Sequence, residues 1–107
     1  MTMHSLRPTE LKARLEAGEK LVLLDVREPE EHALGVLPGS TLLPLSELSL
    51  RVQELDPEAP TVCICHHGVR SASVASALDR LGFESVWNLV GGVERWSREV
   101  DPSFPRY

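Results

Sequence analysis

Thr61-Val62-Cys63-Ile64-Cys65 is an apolar run that breaks at once into a glycine-centred loop, His66-His67-Gly68-Val69-Arg70. Ser71-Ala72-Ser73-Val74-Ala75-Ser76-Ala77-Leu78 follows and begins a helix of small and apolar residues. A short run with no polar alternation suits a strand buried on both faces. Such strands belong to parallel sheets covered by helices. Leu21-Val22-Leu23-Leu24, ending at Asp25, is a second run of this kind. Residues 40–43 and 86–89 read as further strands. Helices are expected over 8–17, closed by Gly18, and over 28–34. Three more are expected over 46–55 with Ser46 as cap, over 71–81 closed by Gly82, and over 93–99. Strands alternate with helices, so the expected fold class is α/β, one domain over 1–107 with a mainly parallel central sheet flanked by helices. The tail, residues 101–107, carries two prolines and two aromatics and is expected to pack back on the domain.

The net charge of −5 argues against nucleic acid and anionic membrane as main partners. No apolar run approaches membrane-spanning length, and the N-terminal residues lack the apolar core of a signal peptide, so a cytoplasmic location is expected. The two cysteines, Cys63 and Cys65, are one residue apart, which suits a disulfide poorly. On a strand they share a face. Cys63 reads as a small core residue, or as a resolving thiol for Cys65.

Cys65 stands at a strand–loop–helix corner, where loop amides and the positive helix end can both face one anion. Both stabilise a thiolate, the nucleophilic form of cysteine. Gly68 permits the tight curl. The expected site is therefore Cys65 as nucleophile, with His66, His67, Gly68, Val69, Arg70 and Ser71 forming the substrate cradle. Arg70 could hold an anionic substrate by its planar fork, or pair with an acidic residue such as Asp25 or Glu31 and hold the loop's shape. The histidines add positive character at the mouth or simply face solvent. Neighbouring histidines on one loop converge poorly on a metal ion, so none is expected.

Cys65-x-x-Gly68-x-Arg70 resembles the active loop of the rhodanese family of sulfurtransferases. Three further blocks are similar to that family: Leu23-Leu24-Asp25-Val26-Arg27 with Glu30-Glu31, Leu37-Pro38-Gly39-Ser40, and the stretch from Gly82 to Trp96 containing Gly91-Gly92. His32 stands where the family often has an aromatic residue, and Gly35-Val36 where it often has Gly-His. The resemblance implies a thiosulfate or other sulfane-sulfur donor, a cysteine persulfide intermediate and no cofactor. Cysteine phosphatases, some on the same fold, carry one residue more between Cys and Arg and enclose a phosphate. The shorter loop here should enclose a single sulfur atom, which disfavours a phosphatase or arsenate reductase.

The loop and the Asp101-Pro102-x-x-Pro105-x-Tyr107 tail are similar to rhodanese domains found alone or fused to enzymes that adenylate ubiquitin-like sulfur carriers. A sulfur-carrier protein or its adenylating enzyme is thus an implied partner, expected to be a separate protein. A persulfide carrier or docking module without turnover of its own is the alternative to an enzyme.

Overall fold

The computed structural model describes residues 3–107; Met1 and Thr2 of the expected domain lie outside the described residues. In chain order the elements are β1 (Met3–Leu6), α1 (Pro8–Glu16), β2 (Val22–Asp25), α2 (Pro29–His32) and β3 (Thr41–Leu42). They continue with α3 (Leu48–Arg51), β4 (Thr61–Ile64), α4 (Val69–Arg80), β5 (Val86–Leu89) and α5 (Gly92–Glu99). The strands form one five-stranded sheet in the order β1-β5-β4-β2-β3, with every pair parallel. The expected α/β fold with a central parallel sheet is the observed one.

Alternate residues of β4 enter opposite layers, as the pleat requires. Val62 and Ile64 pack with Leu11, Leu23, Leu89 and Trp96 beneath α1 and α5. Cys63 and Cys65 face the other way, with Val74, Ala75 and Leu78 of α4. Both faces of the strand are therefore covered, which is why its run carries no polar alternation. Among the described residues, no helix is long and apolar enough to cross a membrane.

Three differences from the expectations have local causes. Residues 3–6 form an edge strand, paired in register with β5 from Met3–Val86 to Leu6–Leu89, although only Leu6 is buried. The expected helix over 46–55 is broken into 3-10 turns at Leu45–Glu47 and Val52–Glu54 around the short α3. Ser46 does not cap it, because its hydroxyl turns to Glu28 at 3.3 Å. Finally, α4 begins at Val69 rather than Ser71, since Gly68 at φ 92° caps the helix directly from the loop. The tail does return to the domain: Phe104 is buried in the core beneath α5.

Candidate functional site

Asp25, Cys65 and Leu89 stand at or just past the carboxyl ends of three adjacent strands, β2, β4 and β5. In parallel α/β sheets this is where sites form, because the connecting loops diverge there. Cys65 is 1% exposed and sits on the floor of the loop. Its Sγ accepts the Gly68 N–H at 3.1 Å and the Ser71 N–H at 3.3 Å. The Ser71 amide is one of the orphan donors of the first turn of α4, so the helix end is aimed at the sulfur.

The Ser71 hydroxyl lies 3.2 Å from the same sulfur. Its other neighbour is Asn88 Oδ1, to which it donates at 2.5 Å. Asn88 Nδ2 donates to the Gly68 carbonyl at 3.1 Å, which fixes the amide's orientation. With the proton on Asn88's side, Ser71 offers a lone pair to a protonated Cys65. When the thiol ionises, the same hydroxyl can turn its proton to the sulfur. Asn88 thus anchors both the loop and the hydroxyl.

The loop is also clamped from outside. The Val93 and Glu94 amides, at the start of α5, donate to the carbonyls of Cys65 (2.9 Å) and His66 (3.0 Å). Carbonyl and amide of a trans peptide point in opposite directions. Holding these two carbonyls toward α5 therefore turns the His66 and His67 N–H groups away from that helix. The contact is close because residue 92 has no side chain: a Cβ there would lie 2.3 Å from the Cys65 carbonyl oxygen and 2.4 Å from that of His66. Gly91-Gly92 is a tight turn, as its sequence suggested, and it is also the surface on which the cysteine loop rests.

Arg70 is paired with a carboxylate. Its two terminal nitrogens donate to Glu31 at 2.6 and 2.8 Å, a bidentate pair across the mouth of the loop. Of the two acidic partners the sequence left open, Glu31 is the one used. Asp25 instead takes Arg27, at 3.0 Å from Nε to Oδ1 and 2.8 Å from Nη2 to Oδ2. Arg27 is fully buried, and its remaining donors reach the carbonyls of Glu31 (3.3 Å) and Gly35 (2.6 Å) and the Tyr107 hydroxyl (3.0 Å). Burial alone would lower its pKa. The bonds to Asp25 and Tyr107 outweigh that and hold it above the ordinary arginine value.

Tyr107 in turn donates to Glu31 at 3.0 Å and stacks on His66, with ring centroids 3.8 Å apart. The His66 and His67 rings meet at a tilt of 31°, with centroids 4.0 Å apart. Burial and the neighbouring His67 lower the His66 pKa below its ordinary value of 6.5, which favours the neutral ring. His67 and Val69 are exposed at the rim, while Gly68 and Ser71 are buried. Of the loop residues named from the sequence, Gly68 and Ser71 touch the Cys65 sulfur, Arg70 pairs with Glu31, and His66 lies against Tyr107. Asn88, Gly92 and Tyr107 were not named. Asn88 had a signal: one amide in an otherwise apolar strand.

Cys63 lies in the core with no exposed surface, and burial, followed by the charge of Cys65, pushes its pKa up to about 12. It remains a thiol, which favours the core reading over that of a resolving nucleophile. An apolar cleft of about 290 Å³, lined by Leu15, Leu23, Leu37 and Trp96 among others, opens beside α1 and α5. None of the cysteine-loop residues lines it.

The Arg70–Glu31 pair carries a pH signature. The Arg70 hydrogen bonds lower the Glu31 pKa from 4.5 to about 2. A carboxylate depressed on folding contributes stability that is present above its unfolded value and lost as pH falls through the folded one. Denaturant unfolding should therefore show the native protein losing on the order of 2 kcal/mol between pH 4.5 and pH 2 that Glu31→Gln does not lose. Identical pH slopes in the two proteins would mean the pair contributes nothing.

The rhodanese-like domain family model matches residues 7–99. The chain is 36% identical over 102 residues to the putative sulfurtransferase YtwF of Bacillus subtilis, covering 95% of this chain and 98% of that protein. It is 36% identical over 79 residues to the thiosulfate sulfurtransferase GlpE of Pseudomonas entomophila, covering 74% of this chain and 72% of that one. Identity is 32% over 105 residues to the probable adenylyltransferase/sulfurtransferase MoeZ of Mycobacterium tuberculosis; that alignment takes in 96% of this chain but only 27% of the relative. Among solved structures, a rhodanese-like domain protein from Staphylococcus aureus superposes with a TM-score of 0.84 at 31% identity, covering 92% of this chain and 95% of that one.

Proposed function

This chain belongs to the rhodanese-like domain family, and from that premise we propose that it moves sulfane sulfur from a donor to a nucleophilic acceptor through a persulfide on Cys65. The observation that carries the reading is the cradle itself. Two backbone amides and a hydroxyl converge on one sulfur in a loop with four residues between Cys65 and Arg70. The Cys65 thiolate attacks the outer sulfur of thiosulfate; a new S–S bond forms, and sulfite departs with the electron pair of the broken S–S bond. The amides and the Ser71 hydroxyl hold the resulting anion by charge-assisted hydrogen bonds. A second nucleophile then takes the outer sulfur and releases the thiolate. The described residues act together with the two before them as one domain.

Thiosulfate is supported as donor by the resemblance and by the name of the Pseudomonas relative. The resemblance, together with the adenylyltransferase/sulfurtransferase name of the Mycobacterium relative, supports as acceptor a ubiquitin-like sulfur carrier activated by adenylation, with sulfur passing to its C-terminus. A persulfide carrier without turnover of its own stays the alternative reading. Turnover separates them. With a sulfane donor and cyanide, an enzyme produces thiocyanate catalytically, and a carrier produces at most one equivalent. Hydrolysis of an aryl phosphate should remain at background, because the loop is too tight for a phosphoryl group. Cys65-dependent phosphatase activity without sulfur transfer would reverse the assignment.

A further inference from the structure

The mouth of the loop holds its charge in a form unsuited to a dianion. Arg70 is the guanidinium of the cysteine loop, and both of its terminal nitrogens are taken by Glu31. Tyr107 and the Glu28 N–H bring the hydrogen bonds on that carboxylate to four, so Glu31 is held from three sides. Arg27 lies beneath, sealed against Asp25 with no exposed surface. On α5, whose N-terminus supports the loop, Arg95 is paired with Glu99 and Arg98 with Glu94. His66, stacked against Tyr107, is pushed toward its neutral form by burial. Each of these arginines is thus committed to a carboxylate, and the protein as a whole carries −5.

Thiosulfate carries two negative charges, and its anionic sulfonate must stay outside while the outer sulfur enters. To offer that sulfonate the edge now turned to Glu31, Arg70 would have to leave the carboxylate, and on any other edge its charge stays neutralised by Glu31 beside it. A thiol persulfide has no such group. Its outer sulfur is small enough for the cradle, and its leaving thiolate is neutralised by the proton of the outer sulfur and needs no cation.

Building on the sulfur-transfer reading above, we infer that Glu31 is a specificity-determining residue that withholds Arg70 from sulfonate and sets the site for thiol persulfide donors over thiosulfate. Glu31 acts through Arg70 and is a positioning residue, not a catalytic one. The donor step balances without an outside oxidant. The Cys65 thiolate attacks the outer sulfur of R–S–SH and a Cys65–S bond forms. The R–S bond breaks, its electron pair leaves as the thiolate R–S⁻, and the proton of the outer sulfur passes to that thiolate. The products are the Cys65 persulfide anion and R–SH.

The test compares cysteine persulfide with thiosulfate as donor in steady-state sulfur transfer, with intact mass confirming the sulfur on Cys65. The native protein should show the higher kcat/KM with cysteine persulfide. Glu31→Gln should lower the KM for thiosulfate roughly two- to fivefold with kcat unchanged, the range expected for releasing one partly exposed ion pair. Its rate with cysteine persulfide should stay within about twofold of native. Glu31→Asp, which keeps the charge, should restore the native preference. Thiosulfate proving the better donor of the native protein overturns the inference, and that comparison does not depend on any variant folding. So does a loss of kcat with both donors in Glu31→Gln, the result expected if Glu31 only props the loop. If neither donor places sulfur on Cys65 of the native protein, it is the sulfur-transfer reading that fails, and this inference with it.

Discussion

Cys65→Ser should abolish the sulfur adduct formed on brief exposure to thiosulfate or cysteine persulfide, and Cys63→Ser should retain it. The two thiols share a face of β4 and the same packing layer, so burial alone does not separate them. Hydrogen bonding does. Cys65 Sγ has two amide donors and a hydroxyl around it. Cys63 has the apolar side chains of α4 about it, and a pKa pushed up to about 12 leaves it protonated. Turnover in Cys65→Ser should fall to the uncatalysed background, because a serine hydroxyl at this site has neither the acidity nor the polarisability to take up sulfane sulfur. Cys63→Ser should cost about 1–2 kcal/mol of stability, since a hydroxyl replaces a fully buried thiol. An adduct that survives in Cys65→Ser, seen by intact mass, would sink the assignment of the nucleophile.

Gly92→Ala should be the most damaging substitution outside the cysteine loop. Residue 92 sits at φ +59°, a conformation that costs a side-chain-bearing residue about 1–2 kcal/mol. The added Cβ would also lie 2.3 and 2.4 Å from two carbonyl oxygens, far inside contact distance, and backbone cannot swing aside as a side-chain tip can. The start of α5 must then withdraw, giving up the bonds from Val93 and Glu94 at about 1 kcal/mol each. A loss of about 4 kcal/mol is expected, with persulfide formation failing because the loop peptides are no longer held outward. Gly18→Ala is the control. Gly18 is also left-handed, at φ +85°, but a Cβ there meets nothing within 4 Å. It should cost about 1 kcal/mol and leave the chemistry intact. Equal losses in the two variants would show that backbone conformation, not the contact with the loop, decides the effect.

Much of this protein was legible from local pattern. An apolar run without alternation marks a strand covered on both sides, and such runs placed β2 and β4 and with them the parallel sheet. A cysteine at the end of one, followed by a glycine and a helix of small residues, marked the cradle. Both signals lie within a few consecutive residues, and that is why they survive in a sequence read without a structure. The same locality set the limits. β1 exposes His4 and Ser5 and was passed over; it is a strand because β5 would otherwise present an open edge. The interrupted helix at 45–54 lost its expected cap to a carboxylate of another segment.

By itself, then, the sequence determined the α/β class, the identity of the buried strands, and a cysteine loop with four residues between Cys65 and Arg70. Tertiary structure alone decided what holds that loop and what Arg70 does. The candidates for Arg70 were Asp25 and Glu31, and no local rule chooses between them. The choice follows from strand order: β4 lies beside β2, which brings α2 to the mouth of the loop, while Asp25 is already claimed by buried Arg27. Asn88 and Gly92 reach the loop because β5 lies on the other side of β4, and Tyr107 reaches it because the tail folds back over α2. Hydrogen bonds between residues 39, 76 and 80 positions apart leave no trace in local periodicity, since they exist only once the sheet has set which ends are neighbours.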